Sequence, residues 1–332
     1  MLGDGREFVS RFRHDNAKTY ARLRHYIVPV SAEAYSPSGC VVVSVARHFI
    51  GALSKIASPP ARAVRRMAGR RFRRAVFWLE QFGISPDKLR NRSRGVLRYA
   101  KSLKQFKKAL GDSKEWPLGD YYPILDEWHE DGGTASGHYF HQDIWAARKI
   151  FERNPTRHID VGSRIDGFVA HVACFREIEV YDIRPISYKV RNIRFVQRDL
   201  MKSAEREVCD SLSCLHVIEH FGLGRYGDDI DPWGYKLGFD HVSDLLRPGG
   251  AFYFSIPMGP QRVEFNAHRV FELRHLLYMI EQNGFDITEF SFVNDSGSLI
   301  ENAPLTDETI TSNCSVNLGC ALFDLRKRSW RE

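Results

Sequence analysis

The residues best suited to chemistry begin at His158. There His158-Ile159-Asp160-Val161-Gly162-Ser163-Arg164-Ile165-Asp166-Gly167 reads as a buried strand running into a turn bracketed by glycines. A turn of that kind, placed between a strand and a helix, lets a ligand approach the backbone closely. Asp182 lies about 20 positions after Gly162, the spacing at which a second strand end presents a carboxylate to ribose hydroxyls. Asp199 closes the next apolar segment. Three acidic strand ends along one edge suit a ligand with a ribose, an adenine amino group and a cationic tail better than a pyrophosphate. His216-Val217-Ile218-Glu219-His220 also spells H-x-x-E-H, a zinc-peptidase pattern that needs both histidines on one helix face. Here the stretch follows a strand, so no metal is expected.

Those residues need a sheet to carry them. Apolar runs at Ile159–Val161, Glu179–Tyr181, Ile193–Val196, Ser211–Leu215 and Ala251–Ile256 alternate with helical stretches, the pattern of an α/β parallel sheet. Leu246-Arg247-Pro248-Gly249-Gly250 reads as a turn before the last of them. Val270–Asn283 is patterned as an amphipathic helix that stops at Asn283-Gly284. Segments 287–293 and 315–325 then read as strands with no helix between them, which predicts antiparallel pairing. Upstream, Gln142–Arg153 is an amphipathic helix and 112–140 a Gly-, Pro- and aromatic-rich cap or connecting loop. A basic helix is predicted over 86–110, and helical spacing over 41–79 is broken by Pro59-Pro60. Residues 1–35 carry little pattern.

The formal net charge of +7 conceals an asymmetry, because residues 1–118 carry +17 and the remainder −10. The arginines from Arg62 to Arg74 read first as a solvated face; as a functional surface, with their apolar neighbours, they suit a peripheral contact with an anionic membrane better than nucleic acid. The 6 cysteines include no CxxC pair and read as reduced thiols of a cytoplasmic protein, without structural zinc. The best apolar run, 40–57, is interrupted by Arg47, His48 and Lys55 and falls short of the ~20 residues that span a bilayer. Neither a signal peptide nor a transmembrane helix is expected.

In this order the motifs resemble those of class I S-adenosylmethionine-dependent methyltransferases. The matching residues are Asp160-Val161-Gly162-Ser163 with Gly167, Asp182 after Val180-Tyr181, Arg198-Asp199-Leu200, Leu215 to His220, Leu246 to Gly250 and the terminal strand reversal. With His138-Tyr139-Phe140-His141-Gln142-Asp143 included, the chain is similar to an uncharacterised methyltransferase-like family of nematodes and bacterial polysaccharide gene clusters. The resemblance implies a Rossmann-like seven-stranded sheet with a terminal antiparallel strand over 135–326. A basic helical extension (1–118) and a connector (119–134) precede it, and a tail (327–332) follows. It also implies S-adenosylmethionine as cofactor. Gly162 and Ser163 would line its methionine part, with Gly167 closing the loop. Asp160 would orient the loop or the amino group, Asp182 would hold the ribose, Asp199 and Leu200 would border adenine, and Leu215 and His216 would sit beside the cofactor. Arg164 departs from the pattern, standing where a second glycine is usual. It must either crowd the cofactor or turn outward.

Methyl transfer to a hydroxyl benefits from a base that works near neutral pH. His220 and His268 are the candidates, and Glu219 is either a catalytic or a structural partner. The expected reaction is O-methylation of a sugar or glycan hydroxyl. A non-catalytic binding module and an RNA methyltransferase using the basic arm are the alternatives.

Overall fold

The computed structural model describes residues 77–78, 80–83, 85–130, 132–202 and 205–329. The segment Arg62 to Arg74, most of the expected 41–79 helix and residues 1–35 lie outside these. The chain divides into two compact units at Asp131/Gly132, inside the expected connector.

In the first unit, α1 (Pro86–Leu110) starts where its sequence dictates. Pro86 occupies the first turn, where no amide donor is needed, and the Ser85 hydroxyl accepts from the Lys88 amide. Gly111, at φ 55°, ends the helix. Arg92 pairs with Asp126 at 2.8 Å, and Arg98 lies over the Trp128 ring. A side chain at Gly95 would collide with the Leu125 carbonyl, so this glycine lets the returning segment lie directly on the helix.

The second unit is built from β1 (His158–Val161), β2 (Ile178–Asp182), β3 (Ile193–Gln197), β4 (Cys209–Leu215), β5 (Leu246–Met258), β6 (Arg262–Glu264), β7 (His268–Val270), β8 (Phe285–Val293), β9 (Leu299–Ile300) and β10 (Gly319–Lys327). Its helices are α2 (His138–Arg153), α3 (Ala170–Ala173, entered through a π turn at Ile165–Val169), α4 (Gly234–Asp244), α5 (Leu273–Gln282) and α6 (Asp307–Thr311). Eight strands form one sheet in the order β3-β2-β1-β4-β5-β10-β8-β9, and β6 and β7 form a separate hairpin. The first five run parallel, while β10 is antiparallel to both β5 and β8. The order reverses between β1 and β4, and this crevice at the carboxyl ends is where open α/β sheets take ligands.

Alternation along the strands builds two apolar layers. Phe252 and Phe254 face Phe239 and Val242 of α4 and Leu276 and Ile280 of α5. Tyr253 and Leu322 face the opposite way, onto Trp145 and Ile150 of α2 and Phe168 beside α3. On that second side α2 is also tied by charge. Lys149 reaches Glu289 at 2.7 Å and Asp324 at 3.0 Å, and Arg153 reaches Asp324 at 3.0 Å.

The structure moves several expected boundaries. Helix α2 begins at His138 rather than Gln142, because Gly137 N donates to Gly297 O and anchors the extra turn. Helix α5 begins at Leu273 rather than Val270, since His268–Val270 pairs with Arg262–Glu264. The Leu246–Gly250 segment is the irregular opening of β5, with the register shifting opposite Cys209 and Ser211. A short helix, α6, does separate the last two long strands. It is held by a reciprocal Thr306–Thr309 cap, and β10 starts at Gly319. The sheet gains an eighth, two-residue strand at its edge.

The Asp324 carboxylate is almost wholly buried, and removing a charged partner from a buried group is costly. Lys149→Met should lower the unfolding free energy by roughly 2–3 kcal/mol in urea, tempered because Arg153 remains. The exposed Arg148→Ala should change it by less than ~0.5 kcal/mol.

Candidate functional site

A cleft of about 570 Å³, including the part open to solvent, lies at the carboxyl ends of β1 to β4. Of the residues expected to act together, it collects Gly162, Asp182, Asp199, Leu200, His216 and His220.

The floor is set by a buried polar chain between β1 and β4. Parallel pairing places His158 opposite Ser211 and Asp160 opposite Ser213. Asp160 Oδ1 accepts from Ser213 Oγ at 2.6 Å and Ser163 Oγ at 2.9 Å, and Oδ2 accepts from the Ser163 amide at 3.1 Å. His158 bridges Ser211 at 2.8 Å and Ser213 at 3.1 Å. Burial pushes the His158 imidazole down to about 3, so it is neutral. Burial likewise raises the Asp160 carboxyl to about 7, against the opposing effect of its serine donors. Asp160 is fully buried and outside the cleft lining, so it orders the glycine turn from beneath. At the turn, Gly162 has φ +71°, and a Cβ there would lie 2.7 Å from a Val217 methyl. Only glycine fits both the angle and the space. Ser163 and Leu215 are buried behind the lining, and Gly167 lies in the π turn near Asp143. The Arg164 side chain turns outward, where Nη2 meets Asp166 at 2.6 Å with both side chains exposed. It does not crowd the cleft.

Across the cleft, the Asp182 carboxylate is engaged by Arg184, with Nε to Oδ1 at 3.0 Å and Nη2 to Oδ2 at 2.5 Å. The same guanidinium lies over the Tyr226 ring and approaches Gly162 O at 3.5 Å. Arg184 thus straps the mouth from the second strand to the glycine turn. Asp199 directs Oδ1 to the Met201 amide at 2.9 Å, fixing the turn that presents Leu200 and Met201.

The histidines divide sharply. His220 Nδ1 donates to the Ala267 carbonyl at 2.7 Å, a bond that only a protonated Nδ1 can make. Burial lowers its pKa, so the neutral ring carries its lone pair on Nε2. His268 lies on β7, outside the cleft lining, with Nε2 3.4 Å from Glu264 Oε2. It is the backbone of its neighbour Ala267, rather than its own ring, that serves the cleft. Glu219 is buried, and its Oε1 accepts from His216 Nδ1 at 2.7 Å. Burial opposes both charges, yet each partner sustains the other's: His216, also beside Cys320, is held well above its ordinary value and Glu219 below its own. The buried Arg269 guanidinium donates to the carbonyls of Phe221 and Pro232, stiffening the loop that carries His220.

Sequence reasoning missed Arg184, Tyr226 and Asp228. The acid-x-basic spacing of Asp182 and Arg184 was the available sign for the first. Asp228, which accepts from the amides of Gly222, Gly224 and Tyr226, belongs to a Gly- and Asp-rich loop whose partners no local pattern reveals.

With five parallel strands in the order 3-2-1-4-5 and β10 inserted antiparallel between β5 and β8, the fold is Rossmann-like. The chain is similar over residues 179–319 to a family described as a Caenorhabditis protein of unknown function, DUF268. No curated protein matches it. Among solved structures, it is similar to the 1,6-didemethyltoxoflavin-N1-methyltransferase of Burkholderia thailandensis at 16% identity, covering 70% of this chain and 90% of that one, with a TM-score of 0.42. It is also similar to the N-methyltransferase NodS of Bradyrhizobium japonicum (13%, 61% and 92%, 0.39). A third is an S-adenosylmethionine-dependent methyltransferase of Clostridium acetobutylicum (12%, 69% and 100%, 0.39).

The raised Asp160 carboxyl has a stability consequence. Because the folded value, about 7, exceeds the ordinary 3.8, the native state holds a proton that the unfolded chain has released between these limits. Stability contributed by this group is therefore greatest at low pH and declines as pH rises through that window. Relative to wild type, Asp160→Asn should gain about 1.4 kcal/mol per pH unit between pH ~4 and ~7 and level off above. Urea unfolding across pH checks this, and a constant difference would contradict it.

Proposed function

We propose that the protein is an S-adenosylmethionine-dependent methyltransferase that acts on a hydroxyl of a sugar or glycan. The observation that carries the reading is the convergence, in one cleft, of the Gly162 turn, the Asp182 carboxylate, the Leu200 turn and the free Nε2 of His220. The cleft residues fit the cofactor. The absence of a Cβ at Gly162 leaves the backbone approachable, Leu200 and Met201 line the cleft with apolar surface suited to an adenine face, and Asp182 can accept two ribose hydroxyls once Arg184 swings from it. When bound, the cofactor supplies an electrophilic methyl group on a cationic sulfur. His220 Nε2 would take the proton of the acceptor hydroxyl as its oxygen gains the methyl group and the sulfur keeps the bonding pair, and the Nδ1 bond to Ala267 O keeps the ring in the tautomer this requires. The sugar or glycan acceptor is supported by the sequence resemblance.

One observation favours a second reading. Asp182 is already satisfied by Arg184, as it would be in a methyltransferase-fold binding module that no longer takes the cofactor. Calorimetry with S-adenosylmethionine and S-adenosylhomocysteine separates the two. The enzyme reading predicts one site per chain, weakened at least about tenfold in Asp182→Ala, since a charge-assisted hydrogen bond contributes about 1.5–3 kcal/mol. His220→Ala should leave binding within about twofold while lowering turnover of a hydroxylated acceptor by ~10²–10⁴. No binding to well-folded wild type would remove the enzyme reading and leave the module.

A further inference from the structure

Three donor side chains from distant parts of the sequence meet, of which His216 also lines the cleft: His138 at the start of α2, His216 just after β4 and Cys320 near the start of β10. One ligand atom from each lies within 4.8 Å of the other two. The His138 and His216 rings are parallel, 6° apart, with centroids 5.2 Å apart. Nε2 of His216 is buried without a hydrogen-bond partner. Cys320 is wholly buried beside His216, and its thiol makes a long contact of 3.6 Å with Ala321 O.

The far side of the His216 ring is held as metal-bound imidazoles are held. Nδ1 bonds the Glu219 carboxylate at 2.7 Å, which fixes the ring plane and turns Nε2 toward the cluster. The residue has φ +56°, so the chain holds this histidine in a backbone region that non-glycine residues rarely adopt. A buried imidazole nitrogen without a partner is costly, and an ion that takes the place of its proton would satisfy it. The Cys320 thiol and the His138 imidazole lie close enough to share such an ion with His216.

We propose that His138, His216 and Cys320 form a zinc site with Glu219 orienting His216, and with the fourth tetrahedral position open to water or to a heteroatom from the cleft. One thiolate and two imidazoles are a borderline-soft donor set that suits Zn²⁺, and three protein ligands with one open position is the arrangement of catalytic rather than structural zinc. Tetrahedral zinc bonds of about 2.0–2.3 Å require donors about 3.3–3.6 Å apart. The half-buried His138 side chain can close that difference by a small rotation. On binding, zinc forms bonds to Sγ and two imidazole nitrogens, and the protons these atoms held pass to solvent. His220 is not among the three converging donors. Of the H-x-x-E-H spelling only His216 is a ligand, and the distance of His138 and Cys320 from it in sequence explains why no spacing announced them.

The test does not depend on methyl transfer. Metal-depleted full-length protein is titrated with Zn²⁺ against a chromophoric chelator, and with Co²⁺ as a spectroscopic probe. The expected result is one zinc per chain and a cobalt form with tetrahedral bands and sulfur-to-metal charge-transfer absorption. Glu219→Gln should weaken zinc roughly 10- to 100-fold. Cys320→Ser should weaken it further and abolish the charge-transfer band, while Cys174→Ser, at an exposed thiol, should leave both unchanged. If Cys320→Ser does not fold, His138→Ala carries the same comparison at a half-buried position. Less than stoichiometric zinc in wild type, or affinity and spectra unchanged in both ligand variants, would overturn the site.

Discussion

Five polar side chains buried between the first and fourth strands, Ser211, His158, Ser213, Asp160 and Ser163, hold the glycine turn in place. Each reaches the next by a short hydrogen bond, and none is exposed enough for water to replace a missing partner. In that low-dielectric setting a satisfied chain is rigid and a broken one is costly. The register of β1 against β4 follows from it, because a slip of one residue would move His158 and Asp160 to the other face. Gly162, at a positive φ against Val217, can adopt its conformation because Asp160 and Ser163 tie the chain just beyond it.

The remainder of the cleft depends on backbone acceptors that distant guanidinium and imidazole groups seek out. Arg269 binds carbonyls on both sides of the 219–232 loop, and the Ala267 carbonyl fixes the tautomer of His220. Asp228 gathers three amides of the same loop. These contacts aim Nε2 of His220 without placing another titratable group on it at hydrogen-bonding distance, the nearest carboxylate oxygen lying 3.7 Å away. Opposite, the Arg184 strap closes on Asp182. A ribose would have to exchange with it, so cofactor entry and strap movement are one event in the proposed reaction.

The inner parallel strands were legible because each carries an apolar run between breakers, a pattern set by burial on both faces, while β3 at the edge is only partly buried. The acidic strand ends were legible for the same reason, since the spacing of the strands fixes where each carboxyl edge falls. Boundaries shifted where tertiary contacts decide them. Helix α2 gains a turn through Gly297, and residues 268–270 were drawn from an expected helix into a hairpin by pairing with 262–264. The outward turn of Arg164 depends on Asp166, and the quieter role of His268 on a hairpin that sequence periodicity does not show. His138 and Cys320 were invisible as partners because only the folded order of α2, β4 and β10 brings them to His216.

The central claim is that the Asp182 edge of this cleft is a cofactor site whose occupant displaces Arg184. A crystal structure of the full-length protein grown with S-adenosylhomocysteine tests it most directly. The account predicts the ribose hydroxyls on Asp182, the adenine beside Leu200 and Met201, and the Arg184 guanidinium moved away from both Asp182 oxygens. Ligand bound elsewhere, or an intact Asp182–Arg184 pair with the ribose out of reach, would contradict it.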